Sequence, residues 1–303
     1  MQIALVGIGK IALDQHVPAL KASSDWTLAA TVSRHGTVDG VPCFTGIDDM
    51  LAAHPGVEAV SLCLPPVPRF AAAQAVLRAG RHLMLEKPPG ATLSEVHILQ
   101  RMARDAGVSI FATWHSRMAL GVAAAKAWLA GRSVQSGRIT WREDVRKWHP
   151  GQDWIFEAGG MGVFDPGINA LSILTQILPD PVHLTGAELD VPSNRQAPIA
   201  ARMSLSRGIE VDLDFRQEGP QTWDIVLQTD GGTLTLRMGG NILEVDGRPV
   251  EGQDDIMQEY PALYARMAGL VRDGASDADL SPMVLVADAF TLGRRTVVEP
   301  FEF

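Results

Sequence analysis

Glu86-Lys87-Pro88-Pro89-Gly90 closes an apolar run, His82-Leu83-Met84-Leu85, that shows no helical period. A lysine at the carboxyl end of a buried strand stands where open α/β sheets bind their ligands. Farther along, Asp165-Pro166-Gly167-Ile168-Asn169 puts a carboxylate and an amide four residues apart. That spacing shares one helix face if a helix begins nearby, and Pro166 is tolerable in a first turn. Between these stretches lie Trp141-Arg142-Glu143 and Lys147-Trp148-His149-Pro150-Gly151-Gln152-Asp153-Trp154. A few placed polar groups among flat apolar walls are what a sugar site needs. His149 has no histidine or cysteine partner at metal-ligand spacing, so no metal site is expected. Read without function, Lys87 is half of a Glu–Lys pair at a strand end and Asp165 is a helix N-cap.

The elements that must carry these residues alternate as βαβ over the first third. Short apolar runs at 3–9, 27–33, VEAVSLCLP, HLMLEKP and VSIFATWH read as strands buried on both faces. Helical stretches are expected at Ile11–Ala22, Ile47–Ala53, Arg69–Ala79 and Leu93–Ala106. The first strand ends in Gly7-Ile8-Gly9-Lys10-Ile11-Ala12, which fits G-x-G-x-x-A where a helix opens. Gly7 permits a tight turn, Gly9 lets backbone approach a pyrophosphate, and the helix start at Lys10 and Ile11 faces the phosphates. The second strand ends in Ser33-Arg34, with no carboxylate for a ribose hydroxyl. A hydroxyl and a guanidinium suit a 2′-phosphate, so the expected cofactor is NADP, with NAD tolerated.

After about residue 118 the pattern changes. A helix over 122–130 leads into alternating apolar and polar runs joined by short turns such as SRG and DGG. That alternation predicts antiparallel strands with one covered face. Helical signal returns at Ile256–Asp273 and Pro282–Gly293. The predicted architecture is α/β: a dinucleotide-binding Rossmann domain with a doubly wound parallel sheet over residues 1–118, then an α+β substrate domain over 119–303 with an open, mainly antiparallel sheet. The last helices are allowed to pack back on the first domain.

The 303 residues suffice for two cores. Acidic residues number 35 against 26 basic ones, a net charge of −9, which argues against a general nucleic-acid binder or a polybasic membrane anchor. Two distant cysteines, Cys43 and Cys63, make no disulfide framework. The amino terminus has no basic segment of a signal peptide, and no apolar run reaches membrane-spanning length. A cytoplasmic setting is expected.

GIGKIA, the Leu64-Pro65-Pro66 step, Glu86-Lys87-Pro88 and GGMGVFDPGIN at 159–169 together resemble the Gfo/Idh/MocA oxidoreductase family, in order and spacing over essentially the whole chain. The stretch from Trp148 to Asn169 is most similar to bacterial aldose 1-dehydrogenases acting on L-arabinose and D-galactose. The resemblance implies that Lys87 enters the catalytic cleft beside the nicotinamide, where desolvation can lower its pKa or aim it at the reacting oxygen. It implies cofactor contacts from Glu86, Pro65 and Pro66. It makes Asn169, His115, Glu143, Trp148, His149 and Asp153 the substrate-binding candidates.

Two positions depart from the family pattern. Asn169 replaces the histidine of D-x-x-x-H and cannot accept a proton at neutral pH. Asp165 is then the expected proton acceptor with Lys87 as electrostatic partner, and the reverse assignment stays open. Arg69 replaces the histidine of T-P-x-x-x-H, where it either touches cofactor or lies on the helix surface. Trp223 either closes the pocket or packs the sheet. The expected reaction is oxidation of C1 of a pyranose aldose to the lactone by a homo-oligomer, dimer or tetramer. The alternatives are oxidation at another carbon, as with inositol, reduction of a keto sugar, or a non-catalytic sensor on the same fold.

Overall fold

The βαβ rhythm of the first third is present in the computed structural model, which describes residues 1–252 and 259–303. In chain order the elements are β1 (Gln2–Val6), α1 (Val17–Ala22), β2 (Thr27–Val32), β3 (Cys43–Phe44), α2 (Ile47–Ala53), β4 (Ala59–Leu62), α3 (Pro66–Arg78), β5 (His82–Glu86), α4 (Leu93–Ala106) and β6 (Ile110–Thr113). There follow α5 (Leu120–Leu129), β7 (Val134–Arg142), α6 (Val145–Trp148), α7 (Phe164–Ile177), β8 (Leu184–Pro192), β9 (Ala200–Leu205), β10 (Ile209–Asp214) and β11 (Thr222–Thr229). The remainder is β12 (Gly232–Arg237), β13 (Ile242–Val245), β14 (Arg248–Gly252), α8 (Glu259–Asp273), α9 (Ser281–Leu292) and β15 (Arg294–Val298). The expected helix Ile256–Asp273 is seen from Glu259; its first three residues lie outside the described ones.

These elements form two units. One comprises Met1–His115 and Met257–Asp279, the other Ser116–Ile256 and Leu280–Phe303. The division falls at His115 rather than at 118, and α8 joins the first unit while α9 stays in the second.

The first unit is built on a six-stranded sheet, order β3-β2-β1-β4-β5-β6, with every pair parallel. Its aliphatic runs are buried on both faces, as parallel strands covered by helices require: Ala4, Val60, Leu62, Leu83 and Leu85 have no exposure and pack with Val76, Leu77 and Leu99. Helix ends follow local chemistry. Pro66 opens α3, where its missing N–H costs nothing. Thr92 and Glu95 form a capping box on α4, and Gly107 ends it in the left-handed region. The expected helix Ile11–Ala22 is instead a π-helical turn, Ala12–His16, followed by α1, and His16 is wholly buried. Helix α8 completes this unit: the Trp26 indole N–H donates to the carbonyl of Tyr264 at 2.9 Å.

The second unit carries a nine-stranded sheet, order β14-β13-β12-β11-β7-β10-β9-β8-β15. It is mainly antiparallel, with β7–β10 and β8–β15 parallel. The edge strand β15, exposed over its first four residues and without apolar alternation, was missed in the sequence pattern. Helices α5, α7 and α9 contact the sheet. Alternate positions carry ion pairs: Arg202 with Glu188 at 3.0 Å, Arg237 with Asp224 at 3.1 Å and Arg294 with Glu188 at 2.8 Å. Gly167 lets α7 lie close on β10, since a Cβ there would come within 2.5 Å of Leu213 Cδ1. Among the described residues, no helix is long and apolar enough to cross a membrane.

Candidate active site

In the first unit the candidates gather at the carboxyl ends of β1, β2, β4 and β5, next to β1 and β4 where the strand order reverses. Gly7 has a φ of 88°, and a Cβ on it would meet Leu64 Cδ2 at 2.9 Å, so only glycine makes this turn. Gly9 differs: it is exposed, and a Cβ on it would meet nothing within 4 Å. Packing within the chain does not require glycine there, whereas a pyrophosphate approaching the backbone does. Lys10 and Ile11 are exposed at the same turn, with the Lys10 ammonium on the Asp14 carboxylate. Ser33 follows β2, and its hydroxyl accepts from the Gly36 N–H at 3.1 Å; Arg34 beside it is exposed. These residues fit a dinucleotide.

The Glu86-Lys87-Pro88 turn is held from inside. Glu86 is 4% exposed, and its carboxylate accepts from the Tyr260 hydroxyl at 2.9 Å and from the Lys87 N–H at 2.8 Å. His16 Nε2 lies 3.1 Å from the same carboxylate, and His16 Nδ1 is 2.7 Å from the Tyr264 hydroxyl. Burial disfavours the Glu86 anion, but the hydrogen bond and charge of His16, with His115 and Lys87 adding, outweigh it and lower its pKa to about 2. Burial likewise works against His16⁺; Cys63, Tyr264 and Glu86 overcome it and hold the pKa well above the ordinary imidazole range. Tyr260 is kept neutral by burial and by Glu86, so it serves as a donor. The Glu86 side chain is thus committed inside the unit, and any part it has toward the cofactor runs through its backbone. Lys87 itself is half-buried.

Arg69 does not lie on the helix surface. It is 3% exposed and donates to the carbonyls of Leu64, Glu86 and Pro88, with Nε to Leu64 at 2.9 Å. Pro65 is exposed and Pro66 buried at the start of α3. His115 follows β6; its Nδ1 is 2.5 Å from Glu259 and its ring stacks on Tyr260 at 5.6 Å. Sequence reasoning missed His16, Glu259, Tyr260 and Tyr264. Nothing in a linear pattern links residue 16 to residue 264.

In the second unit, Asp165 sits in the first turn of α7 and is 4% exposed. His149 Nε2 is 3.3 Å from its carboxylate. The pairing has local causes. Asp144 caps the short helix α6, accepting from the Arg146 N–H at 2.9 Å, and the Val145 N–H donates to the Phe215 carbonyl just past β10. The His149 N–H then returns to the Val145 carbonyl at 2.8 Å, which fixes the imidazole against α7. Asn169, one turn on from Asp165, is half-buried. Glu143 is 7% exposed and accepts from the Trp223 indole N–H at 2.9 Å. Trp148 lies 5.8 Å from Trp223, and its own buried indole N–H has no protein partner among the described residues. The structure therefore brings together Asp165 with His149, and Glu143 with Trp223 and Trp148. Asp153 is placed otherwise: it is exposed, and its carboxylate pairs with Arg195 at 2.5 Å. Among the described residues, no group of three or more His, Cys, Asp or Glu side chains could hold a metal ion.

Comparison with known proteins gives three findings. A family model described as an oxidoreductase family with an NAD-binding Rossmann fold, GFO_IDH_MocA, matches residues 1–113. The chain is 43% identical over 307 aligned residues to galactose 1-dehydrogenase from Pseudomonas fluorescens, covering 99% of this chain and 98% of that one. A crystal structure of D-galactose-1-dehydrogenase from Rhizobium etli superposes with a TM-score of 0.94 at 53% identity, covering 99% and 97% of the two chains. A 3-ketoreductase from Actinomadura kijaniata, solved with TDP-benzene and NADP, shares the fold at a TM-score of 0.83 and 18% identity over 98% and 99% of the chains.

Proposed function

The chain belongs to the Gfo/Idh/MocA family of NAD(P)-dependent oxidoreductases, and from that premise we propose that it is an aldose 1-dehydrogenase acting on D-galactose, L-arabinose or a sugar of the same ring stereochemistry. The two sugars differ at the exocyclic CH₂OH, so one pocket can accept both. Whole-length likeness to galactose 1-dehydrogenases supports the substrate class. The observation that carries the chemistry is the buried Asp165 carboxylate with His149 Nε2 at 3.3 Å.

Bound NAD(P) supplies a nicotinamide ring that accepts the hydride from C1. The residues of this chain do the rest. Asp165 takes the proton from the C1 hydroxyl as the C1–H bond breaks and C1=O forms, giving the lactone. His149, donating from Nε2, holds and stabilises the Asp165 carboxylate, and the abstracted proton stays on Asp165. Lys87 donates to the C1 oxygen. Asn169, Glu143 and His115 hold ring hydroxyls, and the indole N–H of Trp148, which has no partner among the described residues, gives the sugar a donor. Fixing C1 is mainly a matter of orientation, which accounts for so many rigid polar groups. Ser33 and Arg34 favour NADP, because Arg34 can clamp a 2′-phosphate and no carboxylate repels it.

The test is a panel of aldoses, inositol and keto sugars with NADP and NAD, followed by reduced-cofactor absorbance and product analysis. D-galactose and L-arabinose are expected to give lactones that hydrolyse to aldonic acids, faster with NADP. Turnover only of inositol or of a keto sugar, or none with any aldose, overturns the reading.

A further inference from the structure

We propose that Arg69 is a positioning residue whose single guanidinium fastens the Leu64–Pro66 turn to the Glu86–Pro89 turn and thereby fixes the direction of Lys87. This rests on the reading that Lys87 serves the reaction.

The need arises from composition. Pro65, Pro66, Pro88 and Pro89 contribute no backbone N–H, so neither turn can close on itself through donors at those positions. The carbonyls of Leu64, Glu86 and Pro88 must find donors elsewhere. Arg69, in the first turn of α3, supplies them: Nε and Nη2 donate to Leu64, and Nη1 donates to both Glu86 and Pro88. The two Nη1 acceptors flank Lys87 in sequence. The Lys87 N–H is meanwhile held by the Glu86 carboxylate at 2.8 Å. The backbone on either side of the lysine is therefore pinned by a planar fork of donors. A lysine at position 69 presents a point charge on a flexible stem and cannot reproduce the fork. The same fork grips the turn after β4, so the two turns cannot shift independently of one another.

The experiment uses the full-length enzyme with Arg69→Gln and Arg69→Lys, and Arg81→Gln as a control arginine that donates to a carbonyl elsewhere, that of Pro55. Circular dichroism and titration with NADP establish folding and cofactor binding. The expected result for Arg69→Gln is a kcat lowered roughly 10- to 100-fold with the sugar KM changed only a few-fold, Arg69→Lys falling between. A second readout needs no turnover. The lysines are Lys10, Lys21, Lys87, Lys126 and Lys147, so ¹³C-dimethyl labelling gives a resolvable spectrum in which Lys87→Ala assigns the Lys87 signal. Arg69→Gln and Arg69→Lys are expected to move or broaden that signal, while Arg81→Gln leaves it alone. A folded Arg69 variant with wild-type kcat and a wild-type Lys87 signal overturns the proposal. If the wild-type enzyme turns over no aldose, the functional reading fails, and the Lys87 signal still decides the role of Arg69. If Arg69→Gln does not fold, Arg69→Lys carries both readouts.

Discussion

The two units solve the same problem, holding a polar group still inside a protein, by different means. In the first, a parallel sheet ends in turns too rich in proline to hold themselves, and the polar groups are fixed by partners distant in sequence: Arg69 on the backbone, and His16, Tyr260 and Tyr264 around Glu86. In the second, Asp165 and His149 come from one loop-and-helix segment, and a cap, a short helix and a glycine contact suffice to bring them to 3.3 Å. Charge is stabilised over long range in one case and locally in the other. Substitutions should therefore spread into stability in the first unit and stay confined to activity in the second.

The largest effects break or support the pairing of roles. Asp165→Asn and Lys87→Ala should each lower kcat by about 10²- to 10⁴-fold while NADP still binds, measured by steady-state kinetics beside a cofactor titration. Near-normal rates in either variant would remove that residue from the chemistry. Glu86→Gln sharpens the contrast in stability. Glu86 titrates at 4.5 when unfolded and about 2 when folded, so its contribution is complete above pH 4.5 and is lost as the pH falls to 2. The contribution is on the order of 3 kcal/mol. His16 runs the other way: its raised folded pKa gives stability below 6.5 that is lost as the pH rises through the folded value. Melting temperature against pH should show the acid decline in the wild type and a flattened one in Glu86→Gln; identical acid limbs would mean the carboxylate is not the anchor described here.

Smaller effects probe the periphery. Ser33→Asp should shift the ratio of kcat/KM for NADP over NAD toward NAD by roughly tenfold, because a carboxylate repels a 2′-phosphate and suits a ribose hydroxyl. An unchanged ratio would take Ser33 out of cofactor choice. Trp223→Phe removes the donor to Glu143 but keeps an aromatic wall. A few-fold rise in sugar KM with little change in melting temperature is expected, and a large drop in melting temperature would reassign Trp223 to the sheet core.

The first unit's sheet was legible because its signals are local. Strand runs, the glycine turn and the proline stops all act within a few residues. The family likeness pointed to Lys87 and Asp165 for the same reason: each sits in a short motif. What stayed hidden depends on folding in three dimensions. The sequence leaves Arg69 either a cofactor contact or a helix-surface residue, and the carbonyls of two proline-rich turns give it another purpose. His16 gave no signal because a π-helical turn, rather than the regular helix its spacing suggested, sets its direction. The resemblance makes Asp153 a sugar-ligand candidate, and the pairing of its carboxylate with Arg195, forty-two residues on, has no signal in the sequence.

One feature of the first unit reaches into how the chain is made. The hydroxyls that complete the hydrogen bonding of Glu86 and His16 belong to Tyr260 and Tyr264, so the ribosome has threaded most of the polypeptide before this buried pair has all its partners. Until then Glu86 and His16 have each other but not their hydroxyls. Strands β7 to β14 of the second sheet must emerge, and wait or fold, before its predecessor is complete.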